Sequence, residues 1–301
     1  LFLKEVDGRA AGLDEIYHLS REGGFDRWIP PDTSFAVRCQ RLGNHPFTSL
    51  DVNASVGQAI VDRIRQVRGQ RPPVDLENPD VLVEGFLRGD RFLVGINTSG
   101  NGLHRRGYRC HRHPAPLNTT VACGLLALGG WRGEPLLDPL CGSGTVLIEA
   151  ALKHRRVPPG SIGGALPFRS LPPFENTVLP SLRRQANERV RGSSTVLYGW
   201  DRKSTYIEYA RDNARRAGVR DDVELAVTRL SNREWPDSVS YVVSNPPFGT
   251  RVDPPRLIKP TYRALWDRVV NHPPLTVVLL SGNSLLEDLS PVRPSKRRSI
   301  E

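Results

Sequence analysis

Apolar residues recur along this chain with two different periods, and the place where the period changes marks its elements. Near the start, Leu13, Ile16, Tyr17 and Leu19 share one helical face and Pro30 with Pro31 stops the run, so residues 1–32 are expected to be a helix and loop. From Ser34 to Arg41 the pattern alternates, with Phe35, Val37 and Cys39 on one side and Ala36, Arg38 and Gln40 on the other, which predicts a half-buried strand. Val56, Ile60, Ile64 and Val67 return to helical spacing and predict a helix over 52–67, with Asp62, Arg63 and Arg65 outward. Two strands are predicted at 81–87 and 92–98, joined by a hairpin turn at Gly89 and Asp90. Together these elements make a small α/β module.

Beyond residue 116 short apolar runs alternate with helical patterns. Strands are predicted at 136–138, 195–200, 223–227, 240–243 and 276–280, and helices at 117–128, 145–154, 182–190, 205–217 and 261–270. Such alternation implies a mostly parallel sheet covered on both faces, with ligands at the carboxyl ends of its strands. The Pro- and Gly-rich stretch 160–180 is expected to be a long insertion loop.

Composition narrows the class. No uncharged apolar run reaches the length of about eighteen residues that a membrane span needs, and residues 1–7 lack the basic-then-apolar order of a signal peptide, so a cytoplasmic, globular protein is expected. Cys39, Cys110, Cys123 and Cys141 are scattered without a CxxC pair, which argues for reduced thiols and against a zinc ribbon. Cys110, His111 and His113 lack a second ligand pair at zinc-site spacing, so no metal is expected. Methionine is absent, although ordinary usage would supply about seven, and the chain starts at Leu1; residues missing from the sequence and its termini are therefore expected. The net charge of +10 suits a polyanionic partner. Between Phe92 and Gly133 there is no Asp or Glu, while Arg105, Arg106, Arg109, Arg112 and Arg132 fall there with His104, His111 and His113; this is the candidate phosphate-binding segment.

Two motifs carry chemistry. Leu136-Leu-Asp-Pro-Leu-Cys-Gly-Ser-Gly-Thr145 joins a strand to a helix, and Gly142 and Gly144 permit a turn that brings backbone close to a ligand. The helix N-terminus beyond Thr145 suits a carboxylate, and Asp138 suits an ammonium, so the pair fits a zwitterion better than a pyrophosphate. The third glycine of a dinucleotide fingerprint is replaced by Leu147, and Asp201 is the candidate acid for ribose hydroxyls. The second motif, Ser244-Asn-Pro-Pro-Phe-Gly249, also follows an apolar strand. An exocyclic amine is a poor nucleophile because its lone pair is delocalised; the Asn245 side-chain oxygen and the Pro246 carbonyl can accept its two protons and localise that pair on nitrogen. Phe248 can stack on the base.

With these residues the chain resembles the THUMP-domain RNA guanosine N2-methyltransferases, especially the archaeal and bacterial tRNA enzymes. Asn44 to Leu50 with Val56 to Ile60 is similar to the THUMP core, and Gly102 to Tyr108 with Pro114 to Asn118 to the junction into the catalytic domain. Asp138 to Thr145 and Asn245 to Gly249 are similar to the family's cofactor and catalytic motifs, with Cys141 carried along as a cofactor-binding position. The resemblance implies the C-terminal part of a ferredoxin-like domain in residues 1–32, a THUMP domain in 33–103, a basic linker in 104–118 and a Rossmann-like S-adenosylmethionine methyltransferase domain in 119–301. It implies S-adenosyl-L-methionine as cofactor and methylation of a guanosine N2 in tRNA, near the acceptor stem, by a monomer that needs neither metal nor membrane. The family's acid after its third cofactor strand is missing from Val227 to Asn232, and the chain stops at Glu301, where the family's final antiparallel strand pair is expected. Three other readings stay open: ribosomal RNA as substrate, adenine N6 or a glutamine amide as acceptor, and a non-catalytic RNA-binding module. A nicotinamide oxidoreductase would leave Asn245 to Phe248 without a role.

Overall fold

The computed structural model describes residues 2–100, 102, 104–162, 171, 179–193, 195–249, 255–272 and 275–299. They fall into two compact units, one within residues 1–103 and 165–181, the other within 104–164 and 182–301.

In the first unit β1 (Phe2–Arg9), β2 (Phe35–Leu42), β3 (Val81–Arg88) and β4 (Arg91–Asn97) form one sheet in the order β1-β4-β3-β2. The helices α1 (Leu13–Glu22) and α2 (Ser49–Arg68) belong to the same unit. At the start of α2 a capping box fixes the helix: the Thr48 hydroxyl accepts from the Asp51 N–H, and the Asp51 carboxylate accepts from the Thr48 N–H at 2.7 Å. Gly69 ends it in the left-handed conformation. Val56, Ile60 and Ile64 of the predicted face, joined by Val52, pack against Val37, Val83 and Val94, whereas Val67, predicted on the same face, lies in the last turn and is 52% exposed. Parallel pairing of β2 with β3 follows from the long α2 crossover, and antiparallel pairing of β3 with β4 from the tight turn at Gly89, whose φ is 60°.

In residues 1–32, expected as a helix and loop, the helix on Leu13, Ile16, Tyr17 and Leu19 is α1, but residues 2–9 form a strand that the pattern did not predict. β1 pairs antiparallel with β4, and α1 is tied to α2 through Tyr17 Oη to Asp62 at 2.8 Å and Ser55 Oγ to the Leu13 carbonyl at 2.9 Å. The strand escapes its alternation pattern because the register shifts between Lys4 and Val6, leaving Glu5 as an extra residue. That buried carboxylate accepts from the Trp28 indole at 2.7 Å and from Arg27 at 2.8 Å.

The second unit holds α3 (Thr119–Leu128), β5 (Leu136–Asp138), α4 (Thr145–His154), β6 (Leu197–Asp201), α6 (Ser204–Arg216), β7 (Val223–Val227), β8 (Tyr241–Ser244), α7 (Pro255–Val270), β9 (Thr276–Leu279) and the short α8 (Leu285–Asp288). A further helix, α5 (Leu179–Glu188), covers part of the predicted 182–190. The sheet order is β7-β6-β5-β8-β9 with every pair parallel, which is the Rossmann-like arrangement. Alternate residues divide between its faces: Leu136 and Val243 pack with Leu147, Ile207 and Val223, whereas Leu137 and Val242 pack with Trp200, Tyr262 and Leu265. Helix α7 begins at Pro255 rather than Thr261, since Pro260 lies inside it instead of stopping it. Most of the expected 160–180 loop lies outside the described residues.

The expected basic linker is part of this unit's core. Arg106 and Tyr108 are buried; Arg106 pairs with Glu149 of α4 at 3.3 Å, and Tyr108 Oη donates to Glu149 Oε1 at 3.0 Å. Arg106 is 8% exposed and Glu149 3%, so neither charge has water as an alternative partner. Arg106→Ala should therefore destabilise the unit by about 3–5 kcal/mol in denaturant unfolding, because it strands a buried carboxylate. Arg105→Ala, at an exposed site a residue away, should change stability by less than about 0.5 kcal/mol.

Candidate active site

The chain reverses its direction of sheet growth at β5. Strands β6 and β7 extend one side and β8 and β9 the other, so the carboxyl ends of the neighbours β5 and β8 open into the crevice where open α/β sheets bind ligands. Both sequence motifs are delivered there. Asp138 ends β5, Ser244 ends β8, and the Ser244 hydroxyl donates to Asp138 Oδ1 at 2.6 Å. The Leu140 N–H donates to the same oxygen at 3.2 Å, and among the described residues Oδ2 takes no donor.

The glycine turn follows. The Cys141 N–H donates to the Trp200 carbonyl at 2.8 Å, Gly142 has φ 52°, and the Gly142 N–H donates to Asp201 Oδ2 at 3.1 Å. Asp201 Oδ1 accepts from the Lys203 N–H at 2.9 Å, so this acid braces the turn as well as facing the cleft. Gly144, at φ 81°, is the N-cap of α4, and no side chain caps the helix. Its first-turn N–H groups therefore offer an anion site.

A cleft of about 770 Å³ joins these groups. Asp138, Cys141, Gly142, Thr145, Asp201, Asn245, Pro246 and Phe248, all candidate site residues, line it. Gly144 does not; it serves the turn, and a β-carbon there would stand 3.0 Å from that of Ala210. The Asn245 side-chain oxygen is buried without a partner among the described residues, an acceptor waiting for a donor. The loop that carries it is clamped: Tyr262 Oη donates to the Pro247 carbonyl at 2.8 Å, and Asn283 Nδ2 to the Phe248 carbonyl at 3.2 Å. The Phe248 ring lies so close to Gly282 that a β-carbon there would fall 2.5–2.8 Å from its atoms. Ser244, Tyr262, Gly282 and Asn283 had no role assigned from sequence, and His113, expected with the phosphate-binding segment, lines the cleft instead. Ser244 stood inside the motif; the others act across long sequence separations that no local pattern records.

The arginines separate. Arg105 and Arg112 are exposed, as phosphate binding requires. Arg106 is buried on Glu149, and half-buried Arg109 donates to the Leu117 carbonyl and to Thr145 Oγ1, so both brace the unit. Of the histidines, His113 faces the cleft, while His111 Nε2 meets Asp212 at 2.8 Å. Cys110, His111 and Asp212 hold donor atoms within 4.8 Å of one another, but Arg215 also occupies the Asp212 carboxylate, at 2.8 Å.

Two domain models match the chain: the RMKL-like methyltransferase domain over residues 106–300 and the THUMP domain over residues 10–97. The chain belongs to the RMKL-like methyltransferase-domain family. This member is 36% identical over 256 residues to the tRNA (guanine(6)-N2)-methyltransferase of Methanocaldococcus jannaschii, an alignment covering 83% of the chain and 66% of that relative. It is 40% identical over 204 residues to the ribosomal RNA large subunit methyltransferase K/L of Aliivibrio salmonicida, covering 65% of the chain and 29% of that protein. The crystal structure of a predicted N6-adenine-specific DNA methylase from Listeria monocytogenes str. 4b F2365 matches with a TM-score of 0.88 and 27% identity over 99% of this chain and 78% of that one. The chain thus spans less than two thirds of each of the two curated relatives. The THUMP match begins within the segment expected to be ferredoxin-like. No described helix is long and apolar enough to cross a membrane.

Burial pushes the Asp138 carboxyl of this RMKL-like domain up to about 7, against the pull of the Ser244 and Leu140 donors and with the charge of Asp201 adding to the rise. A folded-state pKa raised above the ordinary 3.8 favours the fold most at low pH, and that stability is lost as pH rises toward 7. Asp138→Asn removes the titration. The variant should gain on the parent, by on the order of 4 kcal/mol, between pH 4 and pH 8 in parallel denaturant titrations; a constant difference would mean that Asp138 does not titrate in this window.

Proposed function

We propose that this chain is an S-adenosylmethionine-dependent methyltransferase acting on the exocyclic N2 amine of a guanosine in tRNA. The observation that carries the reading is the buried, unpartnered Asn245 oxygen in the same cleft as Asp138, with Ser244 linking the two motifs.

The residues fit the cofactor. Asp138 keeps Oδ2 for an ammonium, the uncapped N-terminus of α4 receives a carboxylate, and Asp201 on the adjoining strand accepts from ribose hydroxyls. The cofactor supplies an electrophilic methyl group on a sulfonium. The chain's own work is positioning: the Asn245 oxygen and the Pro246 carbonyl accept the amine protons and direct the nitrogen lone pair, while Phe248, backed by Gly282, presents a flat surface to the base. The proton leaves to water after transfer. Tyr262 and Asn283 hold the loop carbonyls, so the acceptors need not reorganise during the step.

The THUMP domain and exposed Arg105 and Arg112 favour RNA. tRNA is favoured over ribosomal RNA because the alignment with the archaeal tRNA enzyme covers a larger share of that relative, 66% against 29% and 39% for two ribosomal RNA enzymes. That relative acts on guanine 6, which supports the expected target near the acceptor stem.

Asn245→Ala should lower methyl transfer to tRNA by about a hundred- to a thousandfold, with S-adenosylhomocysteine affinity unchanged within about threefold in calorimetric titration. Parallel loss of affinity and turnover would contradict the role given to Asn245.

A further inference from the structure

His113 lies within the arginine-rich stretch, yet its imidazole forms part of the cleft wall. Two contacts fix the ring. The Ala115 N–H donates to Nδ1 at 3.2 Å, and Tyr206 lies against it with ring centroids 4.3 Å apart. A ring nitrogen that accepts carries no proton, so in the neutral imidazole the proton resides on Nε2. Burial lowers the pKa of the ring below its ordinary value, which favours that neutral form. Nε2 is then a donor, it is buried, and no described residue accepts from it. It stands 3.5 Å from where a β-carbon on Gly142 would sit, directly over the turn that leads into α4.

Resting on the methyltransferase reading, we propose that the His113 Nε2–H donates to the carboxylate of the cofactor's amino-acid end, sharing that anion with the N-terminus of α4. The charges divide accordingly. Asp138 is an acceptor suited to the ammonium, and Asp201 an acceptor suited to hydroxyls, so neither can hold the carboxylate. Donors are needed, and His113 and the uncapped α4 amides are donors at the same turn. The bare glycine at 142 keeps open the space beside Nε2.

The test compares two ligands in calorimetric titration: S-adenosylhomocysteine, and 5′-methylthioadenosine, which keeps the nucleoside and sulfur but lacks the amino-acid end. His113→Phe keeps a ring against Tyr206 and removes the donor; His113→Leu is read beside it as a second donorless variant. Both should weaken S-adenosylhomocysteine binding by about ten- to a hundredfold and leave 5′-methylthioadenosine within about twofold. His113→Gln, which restores an N–H of similar reach, should recover part of the loss. Equal weakening of both ligands, or of neither, overturns the assignment while the methyltransferase reading stands. A wild-type chain that binds neither ligand overturns both.

Discussion

The hydrogen bond from Ser244 to Asp138 is the constraint on which the site depends. A carboxylate buried at the end of the central strand must be partnered or neutral, and its near partners are a backbone N–H at Leu140 and a hydroxyl contributed by β8. The hydroxyl arrives only because β8 is inserted beside β5 rather than added after β7. One reversal in strand order therefore brings together residues separated by 106 positions in the chain. It also puts Asn245, the next residue, on the cleft that Asp138 floors.

A second buried carboxylate organises the approach to the site. Glu149, on a helix whose other buried residues are mostly apolar, is answered by Arg106, Tyr108 and Cys123. This anchors the segment preceding α3, and with Arg109 on Thr145 it sets the path that carries His113 into the cleft wall. Composition alone makes the same stretch look like an open cationic strip. Burial divides it, with Arg106 and Arg109 turned to internal acceptors and Arg105 and Arg112 left to solvent.

Much of the fold was legible because its information is local. The five strands of the second sheet and helix α4 follow from short apolar runs and helical spacing, and the glycine turn from residues within ten positions of one another. Asp138, Gly142 and Asn245 could be singled out for the same reason. What escaped depends on distant partners or broken periods. Strand β1 was hidden by the extra residue at Glu5, whose buried charge looks like a surface residue until Trp28 and Arg27 are placed on it. The clamp of Tyr262 and Asn283 acts on backbone carbonyls, which leave no mark in a sequence. Arg106 could not be told from Arg105 by type, only by the presence of Glu149.

The central claim is that the two motifs form one methyl-transfer site for a guanine amine. Its most direct test is incubation of the chain with methyl-labelled S-adenosylmethionine and, separately, tRNA and ribosomal RNA, followed by digestion to nucleosides. The account predicts label in N2-methylguanosine from tRNA. Label confined to a methylated adenosine, or no label in either RNA, would contradict it.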